Sequence, residues 1–126
     1  MTLTQLAKNL LGVFFNDLSQ VKEAVNAMGN CTGNKVVDLS LGNIVTATMT
    51  GTGIWTFSNV AVTSKCSTVT FILTNAGAFA ITWSPVPKWP AATPPTMTVA
   101  GVDILVFTTT DGGTTWYAVA SSLAAA

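Results

Sequence analysis

The chain changes its hydrophobic period once, near Gly29-Asn30, and this switch constrains its fold more than any other feature. Before it, apolar residues recur at every third or fourth position; after it, Thr, Val and Gly dominate and apolar and polar residues alternate. The first period belongs to a helix and the second to strands. The pattern predicts an N-terminal oligomerisation and anchoring helix within residues 1–29 and a β-sandwich domain over residues 30–126. The expected fold class is mainly β: an antiparallel, jelly-roll-like β-sandwich preceded by one long α-helix.

Thr2, with Gln5 three positions on, forms a capping-box start, and Gly29 supplies a left-handed stop, so the helix is expected from Leu3 to Met28. Ala7, Leu11, Phe14, Leu18, Val21, Val25 and Met28 then fall in unbroken 4-3 spacing, a heptad seam suited to oligomerisation. A helix of that length reaches roughly 39 Å, more than a small sandwich covers along a whole seam. Three fates are open to it: folding back on its own sheet, docking on a different protein, or parallel self-association, for which a trimer is favoured. Leu3, Leu6, Leu10, Val13 and Phe15 add apolar surface outside the seam. The first half of the helix is therefore greasy on nearly every side and reads as an anchor into a larger assembly.

Strands are expected near Val36–Leu41, Ile44–Thr50, Gly53–Phe57, Thr68–Thr74, Phe79–Trp83, Thr96–Val99, Val102–Thr108 and Thr115–Ala120. Alternation places Val69, Phe71 and Leu73 on one face and Thr68, Thr70 and Thr74 on the other. Asn75-Ala76-Gly77 and Thr110-Asp111-Gly112-Gly113-Thr114 read as hairpin turns. All five prolines lie between Ser84 and Pro95, a segment expected to be a long ordered loop.

Composition narrows the function. Charged residues are 8% of 126, against about 25% in ordinary soluble domains, and the formal net charge is zero. Little electrostatic repulsion keeps copies apart. The five cations are all Lys and are scattered, so no nucleic-acid partner is expected. There is no His, which removes His-based acid–base chemistry and His-containing metal sites; no catalytic residue, cofactor or metal is expected, and the chain is read as a non-enzyme.

Cys31 and Cys66 read as free or buried thiols of a protein made in a reducing cytoplasm. The apolar run Leu10–Phe15 falls far short of the ~20 residues that cross a bilayer, so no membrane partner is expected, and the run is read as retained structure and not as a cleaved leader.

Individual residues add little chemistry. Asp103 and Asp111 are too few for a calcium cage or catalytic pair, and Asp111 is expected to hydrogen-bond its own turn. Of the four tryptophans, Trp55, Trp83 and Trp116 are expected in core or interface. Trp89, in the proline segment, is expected to be the most exposed and is the candidate ligand contact. The alternating Thr46, Thr48, Thr50 and Thr52 fit a solvent-facing strand better than an ice-binding array.

Several stretches together carry a likeness. Gly53-Ile54-Trp55-Thr56-Phe57-Ser58-Asn59-Val60, Thr70-Phe71-Ile72-Leu73-Thr74-Asn75, Ile81-Thr82-Trp83 and Lys88-Trp89-Pro90 are followed by Pro94-Pro95-Thr96 and by Gly101-Val102-Asp103 leading to Asp111-Gly112-Gly113-Thr114-Thr115-Trp116-Tyr117. Over roughly residues 50 to 120 this resembles the β module of tailed-bacteriophage virion appendage proteins, of the fibre and head-decoration type. Where that module usually has a Gly pair after the loop tryptophan, this chain has Ala91-Ala92.

The resemblance implies a trimeric structural role; a place in the virion, assembly in the host cytoplasm and a major capsid or tail protein as partner are the expectations that accompany it. A capsid decoration (cement) protein or short head fibre is the expected role. A tail or neck fibre component is the alternative, as is a glycan-binding module recognising the host surface.

Overall fold

The computed structural model describes residues 2–19 and 22–126, with side-chain surroundings given for 2–11 and 22–126. Helix α1 (Leu3–Ser19) is followed by strands β1 (Val25–Cys31), β2 (Lys35–Asp38), β3 (Ile44–Met49), β4 (Gly53–Ser58), β5 (Ser67–Thr74) and β6 (Ile81–Trp83). A short 3-10 turn (Pro90–Ala92) precedes β7 (Val102–Thr109) and β8 (Tyr117–Ala125). The protein is thus mainly β, with one N-terminal helix and two sheets.

The strands run differently from expectation. One sheet has the order β1-β3-β5-β7-β8 and the other β2-β4-β6. From β1 to β6 successive strands alternate between the sheets, and every pair within a sheet over that stretch is parallel. The chain therefore winds as a two-sided coil, and only β7 and β8 pair antiparallel. The expected antiparallel, jelly-roll-like pairing is not what forms. Alternation reports which side chains face inward and is silent on strand direction. Parallel neighbours need a long crossover, and here the crossover is a strand of the opposite sheet. Asn75-Ala76-Gly77 is accordingly a corner between sheets, whereas Thr110–Thr114 does close the β7–β8 hairpin.

The corners stack. The carbonyl of Cys31 accepts from Thr50 N at 3.0 Å, and that of Thr52 accepts from Gly33 N at 3.0 Å. The hydroxyls of Thr32 and Thr50 meet at 2.7 Å, and Asn34 Oδ1 accepts from Ile54 N at 2.9 Å. Gly53 lies so close over the Gly33 carbonyl that a Cβ has no room there.

Helix α1 ends at Ser19, not at Met28, and the sheet starts at Val25, inside the segment expected to be helical. Val25 to Cys31 instead pairs with Ile44 to Met49, and Cys31 is buried. The register shifts between Ala27 and Gly29, so Met28 is an extra residue in a bulge. That bulge breaks the period-two alternation that identifies a strand. Gly29 does take a left-handed conformation, φ 68°, and uses it in a strand instead of at a helix end. Thr96–Val99, expected as a strand, is irregular chain.

The core lies between the sheets. Val69, Phe71 and Leu73 point inward as expected, beside Trp55, Phe107 and Trp116. Ring centroids of Phe71 and Phe107 are 5.0 Å apart, Trp83 and Phe107 4.7 Å, and Phe57 and Trp116 4.5 Å. The indole N–H groups of Trp55 and Trp116 are buried with no acceptor among the described residues, so their rings are held by packing.

Asp103 is fully buried on β7. Its carboxylate accepts from Thr98 N at 2.7 Å, Thr98 Oγ1 at 2.6 Å and Ala124 N at 3.0 Å, tying the 96–101 loop and the end of β8 to one side chain. Burial pushes its pKa up, but the bonds from Thr98 and Ala124 outweigh it and hold the carboxyl below the ordinary aspartate value. A lowered folded-state pKa means that the stabilisation is complete above the unfolded value, about 3.9, and is lost as pH falls below about 4. Asp103→Asn is expected to lower unfolding free energy by about 1–3 kcal/mol at neutral pH. Urea unfolding of the two proteins should show the gap narrowing in acid; a constant gap contradicts the ionised latch.

Candidate functional site

Helix α1 begins as its sequence dictates. Thr2 Oγ1 accepts from Gln5 N at 3.0 Å, and the Thr2 carbonyl accepts from Leu6 N at 3.0 Å, satisfying two of the first-turn donors. Beyond this cap, residues 2–11 are exposed throughout. Leu3 is 86% exposed, Leu10 63%, Leu11 53% and Leu6 44%. Burying a leucine is worth roughly 1.5–3 kcal/mol, so this surface holds a large unrealised driving force.

The expected seam is divided by the structure. Ala7 and Leu11 lie on α1 and are exposed. Phe14 and Leu18, like Val13 and Phe15 of the expected anchoring set, lie on α1 with side chains outside the described residues, and Val21 is outside them altogether. Val25 and Met28 belong to β1: Val25 is exposed on its outer side, and Met28 packs against the core. The seven residues therefore do not share one helical stripe. Of the expected anchoring set, Leu3, Leu6 and Leu10 lie exposed on the first turns of α1.

A second uncovered surface is the outer face of the five-stranded sheet. Its cross-strand rows read Val25, Ile44, Thr70, Val106 and Val119, then Ala27, Thr46, Ile72, Ile104 and Ser122, then Asn30, Thr48, Thr74, Val102 and Ala125. No row contains a charged residue. Sequence reasoning assigned several of these residues to a solvent face but missed the rows, because row partners are fixed by parallel pairing across long stretches of chain.

The proline segment forms the third feature. The carbonyl of Trp116 accepts from Lys88 N at 2.7 Å and that of Lys88 accepts from Ala118 N at 3.0 Å, which pins the loop beside the start of β8. Trp89 is half-buried, as is Trp83, and stands edge-on to Phe107 at 5.6 Å and 88°. Trp89 separates two hollows. One, of about 500 Å³, lies between β6 and the proline segment; the other, of about 450 Å³, lies beside Lys88 and Tyr117, where Lys88 Nζ sits 5.6 Å from the Tyr117 ring centroid.

Titratable groups are spent on structure. The Asp111 carboxylate accepts from Thr115 N at 2.8 Å and Thr109 Oγ1 at 2.9 Å, and the Thr115 bond chiefly holds its pKa low. It caps its own turn as expected. Cys31 is buried, which pushes its thiol pKa up, and Cys66 is exposed; both are free. Among the described residues no three His, Cys, Asp or Glu side chains converge, and no helix is long and apolar enough to cross a membrane. No family model, curated protein or solved structure matches the chain.

Ala91 and Ala92 both take positive φ, 51° and 56°. Left-handed backbone costs a non-glycine residue about 1–2 kcal/mol, and glycine loses about 0.4–1 kcal/mol of that advantage through its freer unfolded chain. Ala91→Gly and Ala92→Gly are each expected to raise unfolding free energy by roughly 0.5–1 kcal/mol. Thermal melting checks this, and a lowered midpoint contradicts it.

Proposed function

We propose that this protein is a structural subunit of a bacteriophage virion, a homotrimeric capsid decoration protein or short head fibre. Its helix anchors the assembly against a major capsid or tail protein, and its β module projects outward. The observation that carries this reading is the run of exposed leucines on α1, which nothing in the described chain covers. Leaving so much apolar surface in water is unfavourable, and sister helices or a protein shell relieve it.

Two further observations support the reading. Three cross-strand rows on the outer face of the large sheet carry no charged side chain, and Lys88 stands beside Tyr117 at their β8 margin, so little electrostatic penalty opposes contact between copies there. The segments around Trp55, Trp89 and Trp116 carry the likeness to phage appendage modules.

Sedimentation equilibrium at micromolar concentration is expected to give three times the 13.0 kDa chain mass. Replacing Leu3, Leu6, Leu10 and Leu11 together by Ser is expected to give a folded monomer. A wild-type monomer with an intact helix contradicts self-association. Immunogold labelling of the particles is expected to mark the head surface, and unlabelled particles contradict a virion role.

A further inference from the structure

The two sheets are unequal, and the shortfall leaves a hollow. Over β5 the large sheet continues with β7 and β8, whereas among the described residues no strand pairs with the outer edge of β6 in the small sheet. The chain that passes over that edge is the proline segment, and prolines have no N–H with which to extend a ladder. The segment and β6 together border a half-open hollow of about 500 Å³.

The lining defines what fits. Leu73, Leu105 and Pro87 are buried at its base, and Trp83 and Trp89 form walls. No lining residue is ionisable, and the polar side-chain groups are the hydroxyls of Thr82 and Thr96 and the indole N–H groups of Trp83 and Trp89. The walls are preformed: Trp83 is held against Phe71 at 5.0 Å and Phe107 at 4.7 Å, and Trp89 against Phe107 at 5.6 Å. A hollow of this size and rigidity lies within the range of small-molecule sites.

We propose that the cavity between β6 and the proline segment binds a small, uncharged, predominantly apolar molecule with a flat aromatic or aliphatic body. A charged ligand leaves its ion desolvated with no counter-charge in the lining, and a sugar leaves most of its hydroxyls without partners. An apolar body replaces poorly bound water and loses nothing. This inference is independent of the assembly proposed above.

The test uses N-phenylnaphthylamine, an uncharged dye that brightens in apolar surroundings, with anilinonaphthalene sulfonate as its charged counterpart and cellotetraose as a sugar. Saturable binding of one amine per chain is expected, with at least tenfold weaker binding of the sulfonate and no displacement by cellotetraose. Trp89→Ala is expected to weaken the amine about tenfold. Ala80→Phe, at an exposed lining position, is expected to abolish binding while the melting midpoint stays near that of the wild type. The variant with Ser at Leu3, Leu6, Leu10 and Leu11 is expected to bind normally, because these helix leucines are not part of the cavity lining. Absent or non-saturable binding, binding unaffected by Ala80→Phe, or displacement by cellotetraose each overturns the proposal.

Discussion

Six rings wedged between two sheets hold this molecule together. From β1 to β6 the chain never folds back on itself as a hairpin; each strand hydrogen-bonds only to strands of its own sheet, so ladders alone bind neither sheet to the other. The link across the gap is the contact of Trp55, Phe57 and Trp83 from the small sheet with Phe71, Phe107 and Trp116 from the large sheet and its closing turn. Each such ring buries about 150–250 Å² and prefers tilted or offset neighbours, the geometry seen here. The cavity walls, the position of the proline segment and the outward display of Thr, Val and Ile all follow from that stack.

Inward and outward faces were readable from alternation, and Val69, Phe71 and Leu73 are buried where it placed them. The Thr2–Gln5 cap and the Asp111 turn were equally readable, because both are local hydrogen-bond problems that a few residues solve. Strand direction was not, since a short glycine-containing turn serves a hairpin and a corner alike. The first strand was hidden by the Met28 bulge and by valines that fit a heptad as well as a ladder. For the candidate site, the greasy start of the helix was visible in composition. The hollow beside Trp89 was not, because it depends on a strand that the small sheet lacks.

Low charge links fold to function. A chain with 8% charged residues relies on Thr and backbone for solubility; its exposed apolar side chains include four leucines close together on α1, with others on both sheets and in loops. A stretch of 17 residues in isolation is a marginal helix in water, since nucleation is costly and side-chain packing supplies most of the stability. The proposed trimer gives this helix a partner surface in the leucines of sister copies.

Hydrogen–deuterium exchange across α1 as a function of protein concentration tests this dependence most directly. Packing between copies predicts slow exchange of the Leu6, Leu10 and Leu11 amides when the protein is concentrated and near-unprotected exchange after dilution to monomers, while the β5 and β7 amides stay protected throughout. Exchange at those helix amides that is fast at every concentration, or equally slow in the dilute monomer, contradicts it.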